Sequence, residues 1–577
     1  WQFTDNFSYF AGNHILTIGT SFEKFGFYNS FNLFRNGLFF LPPKYGGSSF
    51  SSLKEFFDDT NPKSPNFINF NAMVGTGPYK GENISVAQLS FYAEDEFFVT
   101  DNFNLTYGIR TDIPIYLTHM VANPFSTSLT LLDGNGNPEV VNQSKLPRSI
   151  PLFSPRVGFN WDVNGDKTLQ LRGGTGIFTG RVPFVWIGNN VSNPGDNPNL
   201  PKQERTYDIN AMSRNFKWPQ EWTTDLAIDK ILPGTILGTL EFIYGKDINS
   251  IFIRNANLTA PKRFLPDGRP YYGGAGHNKL NNSVGGVYVI DNSNKGYNYS
   301  ITAQLRKYFY NGLRVSLAYT FLVAKSVLEP NFIASSLWSS NPTQGNPNKP
   351  ELRNSPFGER NRFIGTLTYR KVWSSQFATS IGIFAEVAEG NSFLYNGIGG
   401  NRYSFIYSGD VNGDGASGND LIYIPRNKSE INFAPYVDKN GNTVTADQQW
   451  NAFNSFIKQD AYLNSHRGQI ASGFGEINPW FSNINLRILQ DFSFMLGYKK
   501  QTFQLSIDIV NVANLLNSDW GVRSIANRGA TSSLELVKFN SKGAPVFNYK
   551  HNLKKTFRDA VTLASRWQMQ VGLRYNF

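Results

Sequence analysis

The sequence predicts an all-β protein, a transmembrane antiparallel β-barrel with long extracellular loops. Three observations predict it: an aromatic-rich and charge-poor composition, a two-residue alternation of apolar and polar side chains, and connections that are alternately short and long. Aromatic residues make up 15% of the 577 residues, and charged residues make up 17%. An average soluble domain has about 25% charged residues. The composition is therefore that of a β-prone chain with few charges, and its aromatic content argues against disorder.

The composition also excludes several classes of protein. The chain has no Cys, which excludes a disulfide scaffold, a thiolate zinc site and a thiol nucleophile. A mean hydropathy of -0.34, with no apolar run of about 18 residues, excludes a helical membrane protein. The net charge of +11 would suggest a nucleic-acid partner, but the basic residues are dispersed and their longest groups are short, such as Lys499–Lys500. We therefore expect no nucleic-acid partner.

The last residues of the chain show the alternation most clearly. One face of the predicted strand is wholly apolar, and the residues between are Gln, Gly, Arg and Asn. The apolar set is Trp567, Met569, Val571, Leu573, Tyr575 and Phe577. The same period recurs in about fifteen segments, for example Phe103–Arg110, Tyr299–Arg306 and Phe503–Ile509. In an outer-membrane barrel the apolar face meets lipid and the polar face lines the lumen, so the carboxylate pairs Glu94/Glu96 and Asp225/Asp229 are predicted to line the lumen.

The connections between these segments form two sets that alternate strictly along the chain. The short set is Ala11–Asn13, Thr100–Asn102, Asn164–Asp166, Pro233–Gly234, Tyr310–Gly312, Val372–Ser375 and Gly497–Lys500. The long set is Phe27–Asn83, Pro114–Pro151, Gly180–Pro219, Asn249–Lys295, Ser326–Arg360, Glu389–Phe481 and Asn517–Ala560. Outer-membrane barrels have short periplasmic turns and long outside loops, whereas a soluble sandwich has no reason to sort its loops by end.

The strand count bears on the extent of the domain. A complete single-chain bacterial barrel has an even number of strands, whereas about fifteen are predicted here, and the chain begins at Trp1 inside a strand. We therefore expect residues 1–577 to be part of one larger barrel. Barrels of about 22 strands are plugged transporters, so the expectation is that N-terminal strands and a plug are absent from this sequence.

Several segments resemble a known family. Residues Ile507–Asn517 and the terminal Gly572–Phe577, with its final aromatic, look like the end of a TonB-dependent outer-membrane receptor. Within that family the sequence resembles the large Oar-like receptors of Bacteroidetes-type bacteria. The segments that carry this narrower resemblance are Ser154–Phe159, Arg172–Arg181, Asp410–Gly415, Asn419–Pro425 and Tyr462–Gly468. The resemblance covers the chain from about Ser154 to its end, and the family's carboxypeptidase-regulatory-like domain, TonB box and plug are not in this sequence.

The resemblance implies a transporter in the outer membrane of a Gram-negative bacterium. TonB would be its partner through the N-terminal part, the lipid bilayer and lipopolysaccharide would surround it, and an outer-membrane or surface lipoprotein is a further expected partner. The long, aromatic and Asn-rich loops favour a large ligand such as a peptide or glycan. An alternative is a structural or assembly subunit of an outer-membrane complex that uses its loops for protein contacts. No HExxH or GxSxG motif occurs and the five His residues are scattered, so we expect no enzyme.

One loop motif has the spacing of an ion site. Asp410, Asn412 and Asp414 stand at alternate positions before Gly415, as in the first half of an EF-hand-type calcium loop. Asp420 is one place short of the usual twelfth position, and the bidentate Glu is absent. Asp410, Asn412, Asp414 and Asp420 are therefore the candidate calcium ligands, and a metal-free Asx-Gly turn is the alternative. No other cofactor is expected.

Two helices are predicted in the long loops. In Ala446–Gln459, Trp450, Phe453, Phe456 and Ile457 fall on one face at helical spacing. We expect this face to pack on its own loop, and the alternative is a partner or substrate contact. Ser51–Asp59 is the second, shorter candidate.

Overall fold

The computed structural model describes residues 1–29, 52–67, 82–200, 205–329, 334–390, 393–395, 398–551 and 553–577. Fifteen long strands, numbered β1 to β15, follow one another along the chain. They are β1 Gln2–Ala11, β2 His14–Asn29, β3 Glu82–Thr100, β4 Phe103–Tyr116, β5 Leu152–Asp162, β6 Leu169–Thr179, β7 Gln220–Leu232, β8 Ile236–Asn255, β9 Tyr297–Tyr308, β10 Leu313–Ser326, β11 Asn361–Val372, β12 Phe377–Glu389, β13 Phe481–Leu496, β14 Lys499–Val510 and β15 Gln568–Asn576. The predicted class, a large antiparallel β-sheet of about fifteen strands, is confirmed.

The sheet is a meander in which every strand pairs antiparallel with the strands before and after it. The same holds from β7 to β15. Three shorter strands, Ile209–Met212, Val287–Ser293 and Arg353–Asn354, extend it. In the described part of the chain, β1 and β15 lie at the two edges and do not pair with each other.

The predicted sorting of the connections is confirmed. The turns at one end of the sheet, the turn end, have two to six residues, and the loops at the other, the loop end, span 34 to 91 residues. Positive φ angles of +78° at Gly234 and +62° at Gly497 allow the chain to reverse within these short turns. The middle of the first long loop, residues 30–51 and 68–81, lies outside the described residues.

Register places the two side-chain sets on opposite faces. Residues directly opposite in an antiparallel pair point to the same side, so Val571 and Leu573 of β15 share a face with Ile507 and Leu505 of β14. We call this apolar side the outward face and the polar side the inner face. Aromatic side chains are exposed at both ends of the outward face, including Trp373, 65% exposed, at the turn end and Trp222, 44% exposed, at the loop end. Such aromatic bands mark the two interfaces of a membrane barrel.

A buried carboxylate interrupts the apolar residues of the outward face. Asp95 of β3 lies opposite Leu16 of β2 and Tyr107 of β4, so its side chain is on the outward face. The Tyr107 hydroxyl donates to Asp95 Oδ2 at 2.6 Å, and His14 Nδ1 lies 2.8 Å from the same oxygen. The Asp95 side chain is only 7% exposed, so its two partners and the neighbouring apolar residues cover the carboxylate.

The long loops fold into packed structure of their own at the loop end of the sheet, which we call the loop layer. Their helices are α1 Leu53–Thr60, α2 Val185–Ser192, α3 Ala334–Ser340, α4 Ala446–Gln459, α5 Ala461–Ser465 and α6 Val512–Leu516. Their short strands are Leu131–Leu132, Pro138–Glu139, Arg263–Phe264, Pro270–Tyr271, Phe393–Tyr395, Ile398–Gly400, Arg402–Tyr403, Tyr423–Ile424, Asn432–Phe433, Tyr436–Val437, Thr443–Val444, Gln469–Ile470, Glu476–Ile477, Ser524–Ala526, Glu535–Phe539, Pro545–Asn548 and Phe557–Asp559. Across the described ranges, none of the helices has the length and apolar character needed to cross a membrane.

We predict that a charge is tolerated differently on the two faces. Ile301 lies on the outward face between Phe242 and Phe321, and its neighbour Thr302 lies on the inner face opposite Thr320. Ile301→Arg is expected to lower the free energy of unfolding by about 2–4 kcal/mol, because an arginine near the bilayer midplane loses its hydration. Thr302→Arg is the matched control and should change it by about 1 kcal/mol or less, as on a solvated surface. Denaturant unfolding in phospholipid vesicles measures both, and equal losses would contradict the assignment of the faces.

Candidate functional site

The inner face carries arginines and carboxylates that pair across neighbouring strands or across one intervening strand. Arg156 Nη2 lies 2.6 Å from Glu94 Oε2, and Arg172 lies 3.0 Å from Asp229 and 3.2 Å from Glu241. Further pairs are Arg362–Glu386, Arg370–Asp491 and Arg487–Asp508. All of these residues alternate with outward-facing residues, so the predicted inner-face positions of Glu94, Glu96, Asp225 and Asp229 are confirmed. The wall is thus lined with charges that are matched locally.

Three arginines converge near the loop end of β3 to β6. They border an inner-face pocket of about 490 Å³, which we call the arginine pocket, lined by Gln88, Arg110, Asp112, Ser154, Arg156, Phe178, Thr179 and Arg181 among others. Arg110 Nε donates to Asp112 Oδ1 at 2.9 Å, and its Nη2 donates to Ser90 at 2.8 Å. Asp112 is 2% exposed, and Gln88 and Ser90 each donate to it at 2.7 Å. This buried network holds the Arg110 guanidinium in one orientation.

The second side of the arginine pocket is fixed by Arg181, just beyond β6. Arg181 Nε donates to Gln88 Oε1 at 2.8 Å, and its Nη2 donates to Glu23 Oε2 at 2.6 Å. Its guanidinium carbon lies 4.7 Å from the centre of the Phe25 ring, which adds a cation–π contact. Each arginine therefore has a carboxylate partner and further N–H groups. The pocket offers both cationic donors and anionic acceptors, as a ligand that carries both charges requires.

The acidic loop predicted as a calcium site is a closed turn in one of the long loops. Asp410 accepts from the backbone N–H of Asp414 at 3.0 Å and of Gly415 at 2.9 Å. Asp414 Oδ1 accepts from the N–H of Ala416 at 2.7 Å, and its Oδ2 accepts from Asn412 Nδ2 at 3.0 Å. These bonds are the Asx-type contacts of a tight turn.

Asp420 closes this loop onto its own start. Its Oδ2 accepts from the N–H of Val411 at 2.7 Å and of Asn412 at 3.0 Å. Its Oδ1 lies 3.5 Å from Nη1 of Arg269, and both side chains are fully buried. Arg269 comes from a different long loop and also donates to the carbonyl of Leu421 at 2.7 Å. The structure therefore brings the predicted residues together and adds an internal cation that the sequence pattern did not indicate.

The acidic loop concentrates negative charge in a buried place. Burial, together with the charge of Asp414, raises the pKa of Asp410 to about 6. Burial likewise raises the pKa values of Asp414 and Asp420, although the Arg269 guanidinium opposes the rise at Asp420. Of the three carboxylates, Asp420 is the one that pairs with Arg269, which also pairs with Asp267 at 2.7 Å. A bound cation would relieve the repulsion among the three.

The calcium assignment of Asp410, Asn412, Asp414 and Asp420 stays a prediction. Within the described ranges, no group of three or more His, Asp or Glu side chains has an arrangement that could hold a metal ion. The oxygen ligands that calcium prefers are present in the loop, but they are oriented toward backbone N–H groups. The calcium content of the purified protein distinguishes a metal-free turn from a calcium-binding loop.

The predicted helix Ala446–Gln459 is confirmed as α4, with the same bounds. Thr445 caps its N-terminus in a capping box with Gln448. Phe453, Phe456 and Ile457 are fully buried in a cluster with aromatic and aliphatic residues of the same and neighbouring loops. The apolar face of α4 therefore packs on the loop layer, as expected. The shorter candidate at Ser51–Asp59 forms a helix at Leu53–Thr60, and Ser51 lies outside the described residues.

The loop layer also contains a buried pair of carboxylates, Glu476 and Asp460, that the sequence did not predict. Glu476 is 8% exposed and Asp460 is 5% exposed, and Asp460 caps α5 through the N–H of Leu463 at 2.8 Å. Burial, together with the charge of Asp460, raises the pKa of Glu476 to about 8. The two residues are 16 positions apart in segments without helical or strand periodicity, so no spacing in the sequence indicates the pair.

Comparisons with known proteins agree with this architecture. The family model for the outer membrane beta barrel domain matches residues 1–533. A comparison with curated protein sequences finds no match.

Several solved structures are similar to the chain. A mutant of the ferric enterobactin receptor PfeA of Pseudomonas aeruginosa aligns with a TM-score of 0.43 at 10% identity, over 100% of this chain and 52% of that one. The siderophore receptor PirA of Acinetobacter baumannii aligns with a TM-score of 0.40 at 12% identity, over 89% and 50%. The FrpB iron transporter of Neisseria meningitidis aligns with a TM-score of 0.39 at 12% identity, over 88% and 50%. The chain thus spans about half the length of each of these structures.

Calcium binding is tested by metal analysis of purified protein after dialysis against trace calcium. If the acidic loop binds calcium, Asp414→Ala is expected to lower the calcium content by about one ion per chain, because a carboxylate ligand is lost. Asp438→Ala is the control, since Asp438 accepts from the N–H groups of Asn440 and Asn442 in a turn of the same type that is exposed to solvent. Equal calcium content in wild type and Asp414→Ala would leave the metal-free turn as the correct interpretation.

The Glu476 pair predicts a pH dependence of the loop layer. The pKa of Glu476 is higher in the folded protein, about 8, than in the unfolded chain, about 4.3. Its contribution to stability is therefore present at low pH and is lost as the pH rises toward 8. Glu476→Gln is expected to raise amide protection of the loop layer at pH 9 and to leave it unchanged near pH 4, below the unfolded-state pKa, as measured by hydrogen-exchange protection factors. Equal protection in the two proteins at pH 9 would show that Glu476 does not carry the buried charge.

Proposed function

Because the chain belongs to the outer membrane beta barrel domain family, we propose that it forms the wall of a TonB-dependent transporter that takes up a large ligand. As a member of this family it lies in the outer membrane of a Gram-negative bacterium, with its outward face in the lipid bilayer. The turn end is then periplasmic and the loop end is extracellular. The transport activity, the ligand and the dependence on TonB are the proposed parts.

The observation that carries the proposal is the charged and ordered inner face. A purely structural barrel needs an apolar outward face and paired backbone groups, but it has no need for arginines ordered around a cavity. Here the arginine pocket of about 490 Å³ opens on the inner face, and buried Asp112, Gln88 and Ser90 hold one of its guanidinium groups. Ordered charges facing an internal space are typical of a path along which a polar ligand is bound.

The chemistry of the arginine pocket favours a peptide among the large ligands considered. Arg110, Arg156 and Arg181 supply donors to carboxylate or carbonyl oxygens, and Glu23 and Glu94 supply acceptors for ammonium or amide N–H groups. Peptides carry all of these groups, whereas neutral glycans carry mainly hydroxyls. The Phe178 side chain, 49% exposed, adds an apolar surface at the same pocket.

Energy from TonB is proposed on the resemblance of the C-terminal segments, Ile507–Asn517 and Gly572–Phe577, to TonB-dependent receptors. In such a receptor a plug inside the barrel contacts TonB. The Oar-like subtype, and partial coverage of a larger plugged barrel by residues 1–577, stay predictions.

A structural or assembly role is the second candidate, and the packed loop layer favours it. Residues such as Phe405, Tyr407, Phe453 and Tyr549 are buried in a core that lies outside the sheet. A loop layer with its own core presents a fixed surface to other proteins, including an outer-membrane or surface lipoprotein. The two functions differ in whether ligand uptake occurs.

Uptake measurements test the proposal. Cells that express the full-length protein are given labelled oligopeptides or oligosaccharides, with and without functional TonB. Replacing Arg110, Arg156 and Arg181 together by Gln is expected to reduce peptide uptake about tenfold, because charge-assisted hydrogen bonds to the ligand are lost. Loss of TonB should abolish uptake.

The control replaces three inner-face arginines outside the arginine pocket, Arg362, Arg370 and Arg487, by Gln. These form comparable ion pairs with wall carboxylates, and the control should retain uptake. Uptake that continues without TonB would contradict energised transport. Absence of uptake for both ligand classes, with a stable outer-membrane complex that survives purification, would favour the structural role.

A further inference from the structure

A groove of about 740 Å³ runs across the outward face from β7 to β12. Small residues make the depression, because Gly238, Ala303, Gly365 and Ala385 leave space where neighbouring positions carry large side chains. Leu240, Leu317 and Phe363 are about half exposed along its sides. The groove is apolar along its length and has one charged residue, Lys230, among its lining residues.

The strand register shows how the groove is built. One row of directly opposed outward residues runs Lys230, Gly238, Leu305, Leu317, Gly365 and Ala385. The adjacent row runs Ile228, Leu240, Ala303, Tyr319, Phe363 and Val387. On β8, β9, β11 and β12 one row carries a small residue beside a larger residue of the other row, whereas β7 and β10 carry large side chains in both rows. The small residues form the floor of the groove, and the large ones form its sides.

The groove climbs through the membrane, because the strands are tilted and its residues lie farther from the periplasmic strand ends from β7 to β12. Lys230 is two residues from the periplasmic end of β7, whereas Ala385 in the same row is eight residues from the start of β12. The difference of six residues corresponds to about 20 Å along a strand, or about 15 Å in height for strands tilted by about 40°. This height is about half of the ~30 Å hydrocarbon thickness. The groove therefore leads from the periplasmic interface to the middle of the bilayer.

Lysines mark the periplasmic side of the groove. Lys230, Lys307 and Lys371 lie on the outward face, each within two residues of the periplasmic end of its strand. Lys307 Nζ lies 4.5 Å from the Phe309 ring centre, and Lys371 Nζ lies 5.8 Å from the Trp373 ring centre. Carboxylates of this region such as Asp229 and Asp491 are on the inner face and pair with arginines there. The lysines thus present positive charge at the depth of lipid headgroups.

We infer that this groove is a binding site for a phospholipid of the periplasmic leaflet. One acyl chain lies in the groove between Leu240, Leu317 and Phe363, and the phosphate contacts the ammonium group of Lys230, with Lys307 beside it. The charge at one end, the apolar length and the rise of about one leaflet match an anionic headgroup joined to a single hydrocarbon chain. This site is independent of the proposed transport, since it rests only on the outer-membrane location.

Native mass spectrometry of the purified full chain in detergent, titrated with palmitoyl-oleoyl phosphatidylglycerol, tests the inference. Wild type is expected to retain one lipid more tightly than the rest. Gly365→Leu fills the groove and should weaken that binding about tenfold, through lost contact area. A side chain at Gly365 is accommodated, because an added Cβ would lie 3.4 Å from the nearest atom, Leu317 Cδ2. Lys230→Gln should weaken it about fivefold, through loss of the headgroup contact.

Two controls separate the groove from general lipid contact. Ala93→Leu enlarges a small outward residue between Ile18 and Ile109, away from the groove. Lys24→Gln removes an exposed lysine of β2 that lies toward the loop end, away from the periplasmic lysines. Both should retain the tight lipid. Equal lipid retention in Gly365→Leu and wild type would overturn the inference, and so would a polypeptide that copurifies with wild type and is lost in Gly365→Leu.

Discussion

The hydrogen-bonded register between consecutive strands is the constraint on which the rest of this structure depends. A strand in lipid must satisfy every backbone N–H and C=O through its neighbours, and a shift by one residue would turn each side chain to the opposite face. Fixed register therefore brings Arg156 to Glu94 across β4, and Arg370 to Asp491 across β12, on one side. The same register puts Gly238 beside Leu305 and Gly365 beside Ala385 on the other. The charged wall and the apolar groove are two consequences of one pairing pattern.

Much of the sheet could be predicted from the sequence, because alternation and turn length are local properties of the chain. The fifteen strands, the sorting of short and long connections and the bounds of α4 follow from patterns within a few residues. Contacts between loops could not be predicted in this way. Arg269 meets Asp420 across 151 positions, and Glu476 meets Asp460 with no periodic pattern between them. Such contacts depend on how separate loops pack, which no single segment encodes.

Charge is handled differently in the wall and in the loop layer. On the inner face, arginines such as Arg172, Arg362 and Arg487 each have a carboxylate on an adjacent strand, so these charges are matched over short distances. In the acidic loop Asp420 pairs with Arg269, whereas Asp410 and Asp414 add two further carboxylates, and burial together with the Asp414 charge raises the pKa of Asp410 to about 6. The same few residue types therefore give a balanced lining in one region and an excess of negative charge in the other. The region with excess charge is the one whose properties change with pH or with a bound cation.

The carboxylate of Asp95 on the outward face also bears on how the protein reaches the membrane. Tyr107 on β4 and His14 on β2 are the groups that cover it, and an uncovered carboxylate is costly in hydrocarbon. Strands β2, β3 and β4 must consequently associate before their outward face contacts acyl chains. These three strands would enter the bilayer as one preassembled unit, which places an order on insertion that the finished sheet no longer displays.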